Sequence, residues 1–405
     1  MAGLLGICAM LALAWVCSEN RTAIRYGDAA RTLALQIAIG AFAILTPIGM
    51  AVLGAMSRGV QAAIGFANEG IVFMFGPLAD PAGGVVLAFQ VLPVIIFIAS
   101  VFAILFHTGV MNAVIRFIGG GIRKLTGASK LESTCSAANI FVGMAEAPLT
   151  ILPFLPRLTR AQLFTVMSLG LASVSGSVLA AYAALGMRPD LLLTAAFMAA
   201  PGGLLMGRLL VPETGEPVDA GGVDMPSERA SSVIDAATKG AQTGLSIMLS
   251  VIAVIIAFVA IIALFNGVVG AVGGLFGYPD ATVQGLLGYL FAPIAWLIGV
   301  PWDEAVQAGP FLSEKVIVNE FLAYANFREV MGGFSEAGQI AMTVALCGFA
   351  NLTGLAILIA GLSAVVPERR GEVSALGLKA VLAGTLSNFT SAAIVSVLFA
   401  LRALF

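Results

Sequence analysis

The stretch Asn139-Ile140-Phe141-Val142-Gly143-Met144-Ala145-Glu146-Ala147-Pro148 sets a carboxylate in apolar surroundings, between a tip of small residues and a proline. The other half of the chain repeats the arrangement in Lys315-Val316-Ile317-Val318-Asn319-Glu320-Phe321. A carboxylate at membrane depth costs roughly 3 kcal/mol or more unless a partner, a water-filled cavity or a ligand receives it. Glu146 and Glu320 are therefore functional-site candidates, and their occurrence as a pair, one in each half, is more informative than either alone.

The membrane setting follows from composition. The chain has 405 residues, of which 60% are hydrophobic and 10% charged, against about 25% charged in soluble domains. Its mean hydropathy is +1.03. A net charge of −2 leaves no basic surface for nucleic acid. Cys8, Cys17, Cys135 and Cys347 are scattered through apolar segments, without metal or disulfide spacing, and read as packing residues. His107 is the only histidine. Neither a metal cluster nor a nucleophile–base pair is present in the pattern, so an enzyme is not expected. Residues 4–17 lack a basic segment before their apolar run and read as a retained first helix.

A helix needs about 20 apolar residues to span the hydrocarbon. The runs at 1–18, 32–54, 86–106, 162–186, 190–211, 243–265, 338–365 and 377–401 predict an all-α polytopic protein with eight transmembrane helices. Residues 60–77, with Glu69, and 110–122 read as interfacial helices; 283–300 is apolar but interrupted by Gly288 and Pro293. The semi-polar segments 131–156 and 304–328 read as re-entrant helical hairpins. With the 19–31 loop in the cytoplasm, most of the 20 Lys and Arg fall on the same side. That holds only if both hairpins enter and leave on one face, and it puts both termini outside.

The spans expose inverted repeats. Residues 86–211, with hairpin 131–156, form one unit of three crossings, and 243–405, with hairpin 304–328, form the other. Residues 1–85 supply scaffold helices and an interfacial segment, and 212–242 read as a cytoplasmic linker with an amphipathic helix. Inverted repeats with paired interrupted segments point to a secondary transporter with a site near the midplane.

Within the first hairpin, Pro148 suits the first turn of a return helix, which sets Glu146 at a positive dipole end. The alternative there is an N-terminal cap without a ligand. For Glu320 the alternative is an ion pair with Lys315, poorly spaced for one helix face. Two spans carry internal breaks, at Ala172–Val178 and at Cys347–Gly354. Small residues at such places commonly serve helix packing, but the Asn351 amide needs partners. Unwound backbone there can also offer carbonyls to Na+.

Three motifs in order resemble the concentrative nucleoside transporter family: Ala138-Asn139-Ile140-Phe141 with Glu146-Ala147-Pro148-Leu149, Val318-Asn319-Glu320-Phe321-Leu322-Ala323-Tyr324, and Ala345-Leu346-Cys347-Gly348-Phe349-Ala350-Asn351. The resemblance covers nearly the whole chain. It implies a homotrimer in a bacterial inner membrane, among lipid, with periplasmic termini and an elevator-like transport domain. It implies a nucleobase read by Gly143, Met144, Ala145 and Glu146 with Val178 beside it, and a ribose held by Glu320, Asn351 and Gly354 with Phe349 nearby. It also implies a Na+ site using the side chains of Asn139 and Ser173 and the carbonyls of Val142 and Val174. No organic cofactor is implied.

Two departures bear on selectivity. The family tip commonly reads Gly-Gln-Thr-Glu, here Gly143-Met144-Ala145-Glu146, and loss of a polar partner is worth roughly 1–3 kcal/mol. Where many relatives carry two serines, Thr353-Gly354 follow here. The expectation is Na+-coupled nucleoside import. Its alternatives are H+ coupling, or a modified nucleoside or nucleobase as substrate. An ion channel lined by acidic residues would explain the glutamates but not the repeats.

Overall fold

The computed structural model describes residues 2–80, 86–219 and 230–402. Their regular structure is helical. The first helices are α1 (Ala2–Val16), α2 (Tyr26–Leu45), α3 (Pro47–Phe75), α4 (Leu87–Gln90), α5 (Val94–His107) and α6 (Val110–Thr126). The first hairpin is α7 (Lys130–Ala138) with a 3-10 return, Ala147–Arg157. Then come α8 (Arg160–Ala172), α9 (Gly176–Ala184), α10 (Pro189–Leu210), α11 (Val233–Gly274) and α12 (Val283–Leu297). The second hairpin is α13 (Trp302–Ile317) with α14 (Glu320–Val330), followed by α15 (Glu336–Leu346), α16 (Leu352–Val365) and α17 (Arg370–Arg402).

Seven of the described helices or helix runs are long and apolar enough to cross a membrane, and an eighth results if α12 and α13 form one span bent by 117°. Helices α8, α9, α10, α15 and α17 are largely buried and form the centre. At the periphery α3 and α11 expose apolar residues, including Phe66, Phe73 and Met74 on α3 and Ile256, Leu264 and Val268 on α11. This is the surface expected against lipid or another subunit.

Local chemistry explains the helix starts that matter to the site. Ser129 and Glu132 form a capping box on α7, and Thr159 and Gln162 form one on α8. Gln162 also donates to the Val218 carbonyl at 2.8 Å and accepts from its N–H at 3.0 Å, which fastens residues 212–219 to α8. Asp219 joins Arg123 at 3.1 Å and the Lys130 N–H at 3.1 Å. The amphipathic helix expected in 212–242 lies partly outside the described residues; its last part, from Val233, is continuous with α11.

The structure corrects three local expectations. The apolar run 32–54 is not one helix: Thr46 accepts from the Gly49 N–H at 2.9 Å, Pro47 takes the first helical position, and α3 starts anew. Residues 60–77 are accordingly not a separate interfacial element but largely the second half of α3. The return of the first hairpin is not a regular α-helix. Pro148, Pro153 and Pro156 remove N–H donors, and the backbone leaves helical angles at Ile151. By contrast α6 has the amphipathic pattern expected of 110–122, with Met111, Ile115, Gly119 and Ile122 buried and Phe117 exposed. The internal breaks fall as expected, at 173–175 between α8 and α9 and at 347–351 between α15 and α16.

Candidate substrate and ion site

Four helix starts converge at the breaks. The 3-10 return of the first hairpin starts after Glu146. Ser175 caps α9, accepting from the Val178 N–H at 3.3 Å. Asn319 caps α14, accepting from Leu322 at 2.8 Å, and Asn351 caps α16, accepting from Gly354 at 2.6 Å. Each start carries free N–H groups and a positive dipole end. Glu146, Ser175, Asn319, Glu320 and Asn351 line one cavity of about 270 Å³. All the residues expected to touch substrate border it: Gly143, Met144, Ala145, Glu146, Val178, Glu320, Phe349, Asn351 and Gly354.

Glu320 is buried and both of its oxygens are engaged. Tyr182 donates to Oε1 at 2.6 Å, and Asn351 Nδ2 donates to Oε2 at 2.7 Å. A carboxylate has about four acceptor positions, so acceptor capacity remains for hydroxyls of a ligand. Lys315 does not pair with Glu320. Its ammonium donates to the Asn388 amide oxygen at 2.9 Å and to the Gly348 carbonyl at 3.3 Å. Thr353 donates to the Val318 carbonyl at 2.9 Å, tying α16 to the second hairpin tip.

The first hairpin tip is packed closely on two glycines. A Cβ at Gly170 on α8 would come within 2.9 Å of Met144 Cβ, and one at Gly361 on α16 within 3.3 Å of Ala145 Cβ. Met144 is buried, whereas Glu146 is half-buried and folds over Gly143, where an added Cβ would strike its Oε2. Gly354 has no room for a side chain, because a Cβ there would collide with the Phe349 carbonyl.

Of the four residues expected to hold Na+, Asn139 and Ser173 meet through their side chains. Ser173 Oγ lies 3.3 Å from Asn139 Oδ1, and both residues are buried. Asn139 terminates α7 and Ser173 terminates α8, so the pair sits at two negative dipole ends. Among the described residues, the Val142 and Val174 carbonyls accept no backbone hydrogen bond outside the regular helices. Side-chain amide and hydroxyl oxygens and unbonded carbonyls are hard oxygen donors of the kind that suits Na+. The ion residues reach the cavity through one peptide: Phe349 N–H donates to the Ser173 carbonyl at 3.1 Å.

The sequence singles out neither the buried partner of Glu320 nor one wall of the cavity. Tyr182 approaches Glu320 from 138 positions away. The opposite wall is a stripe on α11, with Thr243, Ser246 and Ser250 beside Ile247, Val251 and Val254. The recurrence of hydroxyls at three- and four-residue spacing in an otherwise apolar span was the available signal.

Comparison with known proteins identifies the family. The chain matches the Na+ dependent nucleoside transporter N-terminal model over residues 5–78, the nucleoside recognition model over 88–188 and the Na+ dependent nucleoside transporter C-terminal model over 191–396. It is 48% identical over 395 residues to an uncharacterized transporter of Bacillus subtilis, covering 97% of this chain and 98% of that one. It is 40% identical over 409 residues to the nucleoside permease NupC of Helicobacter pylori, covering 98% and 97%. The solved structure of CNTnw in an inward-facing substrate-bound state superimposes with a TM-score of 0.95 at 45% identity, covering 99% of this chain and 98% of that one. A variant of CNTnw in an outward-facing state superimposes with a TM-score of 0.94 at 44% identity, covering 99% and 98%. Relatives are thus carriers rather than enzymes, and the fold supports alternating access. The chain is an integral membrane transporter that belongs to the concentrative, Na+ dependent nucleoside transporter family.

Proposed function

We propose that the protein imports nucleosides by symport with Na+. One observation carries this reading: a single cavity gathers both hairpin tips, both broken spans and the carboxylates of Glu146 and Glu320. Glu320 and Asn351 hold ribose hydroxyls, and Tyr182 orients the Glu320 carboxylate for them. Phe349 and Val178 supply apolar surface, and the Gly354 backbone borders the ribose. Gly143, Met144, Ala145 and Glu146 face the base, with Glu146 as the polar reader.

Asn139, Ser173 and the carbonyls of Val142 and Val174 hold the ion. Buried oxygens without a carboxylate among them favour Na+ over a proton as the coupling ion. The bond from Phe349 to Ser173 then makes ion binding order the substrate wall.

The cavity lies between α11 and the body of hairpins and broken spans. This suits an elevator in which that body moves against a scaffold containing α11 and residues 1–85. The exposed apolar faces of α3 and α11 suit lipid and the contacts of a homotrimer. The basic residues favour a cytoplasmic 19–31 loop, with both termini in the periplasm of a bacterial inner membrane.

The test is uptake of labelled nucleosides into proteoliposomes with and without an imposed Na+ gradient. Equal uptake in both conditions removes Na+ coupling, and no uptake of any nucleoside removes the substrate class.

A further inference from the structure

Each repeat brings two helix C-termini together at its breaks. In the first, α7 ends at Ala138 and α8 at Ala172. In the second, α13 ends at Ile317 and α15 at Leu346. C-termini carry the negative ends of helix dipoles, so both junctions favour a cation. The first offers the oxygens of Asn139, Ser173, Val142 and Val174. The second is filled by the chain itself. Lys315 is fully buried, and its ammonium is held by the Gly348 carbonyl and the Asn388 amide oxygen, at 3.3 and 2.9 Å. Peptide and amide oxygens are the donors that a protein uses for a free alkali cation.

The two junctions are physically joined. Asn388 Nδ2 donates to the Ala172 carbonyl at 2.6 Å, on the last residue of α8. Gly348 precedes Phe349, whose N–H bonds to the Ser173 carbonyl and whose side chain lines the cavity. Removing the ammonium therefore leaves the Gly348 carbonyl and the Asn388 oxygen without their cation, and loosens the break that presents Phe349 and Asn351.

We propose that Lys315 is a positioning residue: a tethered cation in the second repeat's counterpart of the ion junction, holding the α15–α16 break in its substrate-binding form so that one mobile Na+ serves each nucleoside. The inference rests on the Na+ reading above.

The test uses the full chain in proteoliposomes and in detergent. The influx ratio of labelled Na+ to nucleoside is measured first, and the expected value is about one, set by a single free junction. Lys315→Met keeps length and removes charge; nucleoside affinity by calorimetry is expected to fall roughly tenfold or more, as for a lost charged hydrogen-bond donor. Lys315→Ala leaves space at the junction. High Na+ is then expected to recover part of the affinity, with the Na+ Hill coefficient of nucleoside binding rising from about one toward two.

A ratio of two Na+ per nucleoside in the unaltered protein overturns the proposal. So does wild-type affinity in Lys315→Met, or a Hill coefficient of one without recovery in Lys315→Ala. Should the variants not fold, the ratio in the unaltered protein decides alone. Uptake indifferent to Na+ sinks the Na+ reading and this inference with it. Na+-dependent uptake at a ratio of two sinks this inference only.

Discussion

Tyr182 donates its hydroxyl hydrogen to Glu320 Oε1 across 2.6 Å, and the two residues come from different repeats. The Tyr182 ring stands 4.7 Å from that of Tyr324 and 5.8 Å from that of Phe321, centroid to centroid. Its hydroxyl is therefore positioned by packing on the second hairpin. A hydrogen bond to a charged group is worth about 1.5–3 kcal/mol. Tyr182→Phe is expected to weaken nucleoside binding by roughly 10- to 100-fold, at 1.4 kcal/mol per decade. Calorimetry with purified protein reads this directly, and unchanged affinity would remove Tyr182 from the site.

Glu320→Gln preserves size but turns one acceptor oxygen into a donor facing either Tyr182 or Asn351. Uptake is expected to fall by about 100-fold or more, the loss of two charge-assisted bonds of the site. Size-exclusion chromatography should show an unchanged assembly. Retained uptake in a correctly assembled variant would exclude Glu320 from substrate binding.

Asn139→Ala and Ser173→Ala each remove one side-chain oxygen from the proposed ion junction. The Na+ concentration at which thermal stabilisation sets in is expected to rise roughly tenfold or more in each, because a ligand stabilises in proportion to the logarithm of one plus its concentration over Kd. An unshifted Na+ dependence in both variants would place the ion elsewhere.

Gly354→Ser restores the kind of side chain that many relatives carry, yet its Cβ would collide with the Phe349 carbonyl. Overpacking of this kind typically costs about 1–3 kcal/mol. Nucleoside affinity is expected to drop rather than improve. A gain in affinity would show that the break between α15 and α16 yields to the new side chain.

Glu19 lies in the turn between α1 and α2. It accepts from Arg160 at 3.0 and 3.2 Å and from Lys379 at 3.0 Å. The Arg160 hydrogen bond, opposed by partial burial and reinforced by Lys379, holds its carboxyl below the usual range. A carboxyl lowered on folding stabilises the native state above its unfolded pKa, and this contribution disappears as pH falls through the lowered value. Glu19→Gln is expected to reduce stability at pH 7 by less than about 1 kcal/mol, since the cluster is largely exposed. Thermal melts of the two proteins should begin to converge as pH falls below the ordinary glutamate value of about 4.3 and meet once it is below the lowered value. A constant gap across pH would mean that the charge of Glu19 is not the cause.

The membrane architecture was legible because its signals are local. Asn139 to Pro148 and Val318 to Phe321 stand out as polar interruptions, and the structure brings Glu146 and Glu320 to one cavity. The break at Thr46 was missed for the opposite reason. Apolar residues continue through 32–54, and the Thr-Pro start of α3 was outweighed by that run. The contacts of Tyr182 and Lys315 were beyond reach for another reason. Their roles depend on which face of a helix meets which distant element, as with Lys315 and Asn388, 73 positions apart. The hairpin tip over Gly170 and Gly361 is similar, because absence of a side chain has meaning only beside its neighbour.

Ser173 contributes its hydroxyl to one junction and its carbonyl to the wall of the other. On the proposed reading, a single residue thus belongs to two binding equilibria. Linkage makes such sharing symmetric: whatever factor an ion at Asn139 and Ser173 adds to the hold on a nucleoside, the nucleoside adds to the hold on the ion. Neither passenger is then retained well without the other, so a half-loaded carrier is the state that empties first, on the side from which it was filled.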